Sequence, residues 1–260
     1  MKIKIAFFLF LGLIGGRTLF GQVIATDIEY HDGTVVLQGY LVYDDAVKGQ
    51  RPAVMVVPEW LGLNDYSKMR AGQLAQLGYV GFAVDMFGKG VRPKTHEEAA
   101  KVSRAYREDH LKMRARAKAA YDFLLKQAMV DPKHVAVIGY CFGGTTALEM
   151  ARAGLPLAGV ASFHGSLGTS IVSRPGDIHT PIRVFHGDED PFTDPELEGF
   201  RKEMREAAVE DWQVVILSGA VHRFTVLSAG NDKSTGAAYN KRADRESWRA
   251  LVSFLHQVFE

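Results

Sequence analysis

Among the 260 residues there is one cysteine, and it stands in Gly139-Tyr140-Cys141-Phe142-Gly143-Gly144. The run before it, His134-Val135-Ala136-Val137-Ile138, has the length and apolar character of a buried strand, and Thr145 to Arg152 reads as a helix. Strand, tight Gly-x-Cys-x-Gly turn and helix make a nucleophile elbow with sulfur in place of the usual serine oxygen. Glycines let the turn be sharp and the backbones approach. The helix N-terminus beside Cys141 would favour a thiolate, and its free N–H groups could hold an oxyanion. A small buried core cysteine is the plainer alternative, so the rest of the chain has to decide.

A thiol nucleophile needs a base. His222 lies in Ser218-Gly219-Ala220-Val221-His222-Arg223-Phe224, directly after the last predicted strand, whereas His31 and His110 have no such placement. A neutral imidazole there could take the thiol proton and return it to a leaving group. An orienting carboxylate is expected from His186-Gly187-Asp188-Glu189-Asp190-Pro191. Asp190 is the choice, Asp188 the main competitor, and Asp194 is expected to cap a helix. The order nucleophile, acid, histidine is that of α/β-hydrolases. Glu59, in Pro58-Glu59-Trp60-Leu61-Gly62, follows another strand. It could be a solvated loop residue or hold the thiol proton in a low-dielectric pocket. The backbone N–H groups of Trp60 and Phe142 are the candidate oxyanion donors. His164, at the end of a strand, could line the pocket or be structural.

The elements that must position these groups alternate. An Asp32-Gly33 turn between Ile28–Tyr30 and Val35–Val42 signals a hairpin. Strands are expected at Ala53–Val57, Tyr79–Val84, Leu157–Phe163, Ile182–Phe185 and Trp212–Leu217. Between them lie helices capped by Asn64 or Asp65, by the Thr95-His96-Glu97-Glu98 box, and by Asp194-Pro195, with a break near Asp109 and a closing helix at Ala243–Phe259. Strands alternating with helices give an α/β fold, a mostly parallel sheet with helices on both faces, with reacting groups past the strands' C-terminal ends.

Composition narrows the function further. Hydrophobic residues make up 47% and charged residues 23%, with a formal net charge of +1, so no basic field argues for nucleic acid. A single cysteine excludes a disulfide framework and a multi-cysteine metal site, and no cofactor-binding motif appears. Met1-Lys2-Ile3-Lys4 followed by the apolar run Ile5–Ile14 has the form of a secretory signal peptide. Residues 1–25 are therefore set apart from a 26–260 domain. That predicts a periplasmic or secreted protein with no stable membrane anchor after processing.

The motifs together resemble the dienelactone hydrolase (carboxymethylenebutenolidase) family from about Ile28 to the C-terminus. The resemblance rests on Gly139–Gly144, Pro58-Glu59-Trp60-Leu61-Gly62-Leu63-Asn64, Gly187-Asp188-Glu189-Asp190 and His222-Arg223-Phe224. It implies a Cys141–His222–Asp190 triad acting on a small-molecule ester or lactone, with Glu59 forming the thiolate when substrate displaces it. The family's substrate-carboxylate arginines are absent. Val226 stands four positions after His222, and Lys89 takes the other place, with Arg223 available to compensate. A non-catalytic binding protein of the same fold and a peptidase-like hydrolase are the alternatives.

Overall fold

The computed structural model describes residues 22–260. The expected signal peptide lies almost wholly outside them. The described chain forms an eight-stranded sheet with helices on both faces.

The hairpin is β1 (Val23–Asp32) and β2 (Val35–Asp44), in register from Val23 opposite Asp44 to Asp32 opposite Val35. Gly33 takes φ 57° in its tight turn, a conformation glycine adopts without strain. The remaining strands are β3 (Arg51–Val57), β4 (Val80–Ala83), β5 (Val130–Tyr140), β6 (Gly159–Phe163), β7 (Ile182–Gly187) and β8 (Trp212–Leu217). The order is β1-β2-β4-β3-β5-β6-β7-β8, antiparallel from β1 to β4 and parallel from there on.

Central β3 explains why the sheet must be covered twice. Ala53, Met55 and Val57 face one apolar layer while Val54 and Val56 face the other, and all five are fully buried. The first layer is closed by α3 (His110–Leu124), α4 (Phe142–Arg152) and α5 (Leu197–Glu206), the second by α1 (Asp65–Gln76) and α6 (Lys241–Phe259). The remaining helix, α2 (His96–Arg107), joins α3 through the expected break, where Asp109 caps α3 by accepting from the Lys112 N–H at 3.0 Å.

Three local expectations change. The elbow helix starts at Phe142, immediately after the cysteine. Thr95 caps α2 by accepting from the Glu98 N–H, but Glu98 accepts from Lys94 and does not close the box on Thr95. Asp194 opens a 3-10 turn without capping it, and its carboxylate lies 3.3 Å from His186 Nε2. The neighbouring Glu196 turns away to accept from the Leu167 and Gly168 N–H groups and Ser166 Oγ, tying down the loop after β6.

Candidate active site

Cys141 sits between β5 and α4 at φ 53°, ψ −116°, well outside the regions open to ordinary L-residues. Its N–H donates to Phe163 O at 3.0 Å, and its carbonyl accepts from the Gly144 N–H at 2.9 Å, so both flanks of the turn are held. The glycines are a steric necessity. A Cβ on Gly139 would stand 1.9 Å from Gly143 O, and one on Gly143 would stand 2.1 Å from Val57 O. The side chain of Cys141 is half-buried. The peptide N–H groups of Trp60 and Phe142 find no protein acceptor among the described residues.

His222 follows β8 in the turn that leads to α6. Its backbone is fixed on both sides, donating to Gly236 O and accepting from the Ala238 N–H, each at 3.0 Å. Its Nδ1 lies 2.8 Å from Asp190 Oδ2. Asp190 is completely buried, and its other oxygen accepts from the Phe192 and Thr193 N–H groups at 3.0 and 3.3 Å. Asp188 is exposed. Burial alone would depress the His222 pKa, but Cys141 and the Asp190 carboxylate outweigh it and push the imidazole up to about 10. Burial pulls the Asp190 carboxyl upward, but its bonds from His222, Phe192 and Thr193 more than compensate and hold it below the usual range. The structure thus pairs His222 with the buried Asp190, with the imidazole close enough to Cys141 for the two to interact electrostatically.

Glu59 is 1% exposed. Both its oxygens are taken by Arg223, with Nε to Oε1 at 2.9 Å and Nη2 to Oε2 at 3.1 Å. This two-point geometry is the strong form of an arginine–carboxylate pair. Arg223 also has a positive φ, 57°. Two expectations are corrected here. Arg223 is engaged by Glu59 and is not a free cation awaiting substrate. Lys89 pairs with Glu29 on β1, and its N–H donates to Val36 O, which anchors it to the hairpin edge. An exposed ammonium finds the nearest carboxylate, and β1 supplies one.

His164 is brought to the site but not to its open wall. It is 1% exposed, its ring centroid lies 5.0 Å from that of His222, and its Nε2 is 2.9 Å from Thr225 Oγ1. It lies behind the His222 imidazole and out of contact with solvent. Burial, followed by the charges of His222 and Arg223, holds its ring well below the usual imidazole range.

Two features had no clear signal in the sequence. Arg107, the last residue of α2, places its guanidinium 5.8 Å from the Trp60 ring, with the His96 ring also 5.3 Å from Trp60. Tyr66, in the first turn of α1, donates to Thr225 Oγ1 at 2.8 Å. Both contacts join helix faces to loops far away in the chain. A surface groove of about 540 Å³ runs between β1 and α3, but none of the candidate residues lines it. Among the described residues, no group of three or more His, Cys, Asp or Glu could hold a metal ion, and no helix is long and apolar enough to cross a membrane.

The dienelactone hydrolase family model matches residues 37–259. A putative carboxymethylenebutenolidase of Aquifex aeolicus is 29% identical, over 87% of this chain and 96% of that protein. A probable 2-oxo-3-(5-oxofuran-2-ylidene)propanoate lactonase of a Bradyrhizobium species is 31% identical, over 80% of this chain and 85% of that protein. A solved structure described as a dienelactone hydrolase-like promiscuous phosphotriesterase, from metagenomic libraries, superposes with TM-score 0.85 at 37% identity. It covers 92% of this chain and all of its own. With a family model that spans nearly the whole folded chain and relatives matched along almost their full length, this protein belongs to the dienelactone hydrolase family and is a hydrolase of the α/β-hydrolase fold.

Proposed function

We propose that the protein hydrolyses carboxylic esters or lactones through a covalent thioester on Cys141, with His222 and Asp190 completing a triad. The observation that carries this is the buried Asp190 carboxylate 2.8 Å from His222 Nδ1, beside a cysteine held on a strained elbow with open N–H groups, so that His222 can hold the thiol proton as an imidazolium. In that state the sulfur attacks the carbonyl carbon, and the oxyanion rests on the Trp60 and Phe142 N–H groups. The imidazolium of His222 gives its proton to the departing oxygen. It then accepts one from the water that attacks the thioester, and expulsion of the thiolate releases the acid and restores the thiolate–imidazolium pair. Asp190 keeps Nδ1 of His222 oriented and stabilises its charge.

Glu59 enters this scheme only after Arg223 releases it, because both its oxygens are occupied. With that pair closed, His222 is the group that takes the thiol proton. A thiolate is also a good leaving group, so esters of phenols or enols, whose oxyanions leave more readily, are the favoured substrates. A simple alkoxide would lose the competition to sulfur.

The structural relative described as a promiscuous phosphotriesterase favours a second, weaker activity. A thiolate beside two free N–H donors can also attack a phosphotriester. One panel tests both: an aryl acetate, a simple lactone, a dienelactone and an aryl dialkyl phosphate, each with wild type and Cys141→Ala. Aryl ester turnover should fall by about 10³-fold or more in the variant. Turnover that persists would overturn the cysteine mechanism. No turnover of any substrate by folded, reduced wild type would favour a binding role.

A further inference from the structure

Behind His222 runs a hydrogen-bonded chain that the triad does not use. It begins at Arg70 on α1, which pairs with Asp244 of α6 and donates from Nε to the Tyr66 hydroxyl at 3.2 Å. Tyr66 donates to Thr225 Oγ1 at 2.8 Å, and Thr225 lies 2.9 Å from His164 Nε2. His164 Nδ1 is buried and has no partner. The His164 backbone is strained, at φ 41°, and its N–H donates to Phe185 O at 2.9 Å.

The direction of the chain follows from counting protons. Arginine only donates. Tyr66 must therefore accept from Arg70 and spend its single proton on Thr225, and burial keeps that phenol protonated by pushing its pKa well above the ordinary value. Thr225 has one proton, and among the described residues its hydroxyl meets no other acceptor than His164 Nε2. Nε2 then accepts, and the ring proton sits on Nδ1. The ring meets His222 edge to face, with planes at 68°, a geometry that packs without placing a second charge beside the imidazolium.

We infer that Arg70, Tyr66 and Thr225 lock His164 as the neutral Nδ1–H tautomer, and that His164 and Tyr66 are positioning residues that hold His222 charged and aligned with Asp190. Every element packed around His164 bears on this. Tyr66 and Arg70 come from α1, Tyr140 from β5, and His222, Arg223 and Thr225 from the loop after β8, while Asp244 of α6 anchors the far end. A proton on His164 would set two imidazolium rings 5.0 Å apart with the Arg223 guanidinium nearby. The catalytic consequence rests on the reading of His222 as the acid–base group. The tautomer does not.

The experiment has two independent readouts on the full-length folded chain. In protein labelled with ¹⁵N-histidine, the two-bond ring spectrum of His164, identified by its loss in His164→Gln, should show a protonated Nδ1 and an unprotonated Nε2. A protonated Nε2 would overturn the inference whatever the enzyme does. Tyr66→Phe removes one hydroxyl and leaves the Thr225 oxygen free to accept from a protonated His164 Nε2. With its melting temperature used to confirm folding, this variant should lower kcat several-fold with little change in KM and move the acid limb of kcat/KM up by about one pH unit. The double variant Tyr66→Phe/His164→Phe cannot charge that ring, so its acid limb should return. A Tyr66→Phe profile that superimposes on wild type would show that the chain is only structural. Absence of Cys141-dependent hydrolysis would sink the proposed function and leave the tautomer measurement standing.

Discussion

The two ends of α4 carry buried charge in opposite ways. At its C-terminal end, Glu149 accepts from Arg114 at 2.7 Å and from Arg152 at 3.0 Å. Arg152 also donates to both oxygens of Glu203, at 3.0 and 2.6 Å, and to Leu167 O at 2.7 Å. The backbone there is ordinary helix. At the N-terminal end stands Cys141 in a disallowed conformation, with free N–H groups beside it and a histidine whose protonation is set by its neighbours. Of the four non-glycine residues with positive φ among the described residues, three are Cys141, His164 and Arg223. Buried charge alone therefore does not mark a site. Charge that is paired on ordinary backbone fixes helices and a loop in place. Charge on strained backbone, next to donors left open, is poised for a reaction.

The sharpest break in this contrast is Gly143→Ala. The new methyl would collide with backbone on β3, which cannot move aside cheaply. The variant should lose more than about 5 kcal/mol and fail to give a cooperative melt. Asp190→Asn acts only on the reacting end. It should cut kcat by about 10³- to 10⁴-fold, as loss of a triad carboxylate does elsewhere, and a change under tenfold would argue against its orienting role. Arg152→Met acts on the other end. It leaves Glu149 and Glu203 without that partner and should cost about 3–5 kcal/mol in chemical denaturation, with the activity per folded molecule retained.

A graded loss should separate the ends by pH. A His222 pKa raised from 6.5 to about 10 stabilises the fold fully below pH 6.5, and that contribution is lost as pH rises through about 10. Wild-type melting temperature should thus fall between pH 6.5 and 10, and the fall should be smaller in His222→Gln. The smallest effect is a gain. Cys141→Gly relieves the positive φ and should raise stability by about 1 kcal/mol while abolishing turnover. A loss of stability there would mean that the elbow stores little strain.

The alternation of strands and helices was legible because each element carries its own period and stop signals. The elbow was legible because close backbone approach leaves only glycine at Gly139 and Gly143. The break at Asp109 and the cap at Asn64 were equally local. The Asp194 cap failed because Pro195 opens a 3-10 turn and His186 draws on the same carboxylate.

By itself, the sequence determined the α/β alternation, the cysteine between strand and helix, and the placement of Asp190 and His222 after later strands, since these depend on short windows with their own steric rules. Only the tertiary structure decided which charges meet. It turned Asp190 inward and Asp188 out, gave Arg223 to Glu59 across the fold, tied Lys89 to Glu29, and set His164 behind His222 on a chain from α1. The physical reason is that a buried charge must take whichever partner the fold brings within about 3 Å, and that proximity is set by how loops from distant strands converge, which no local spacing encodes.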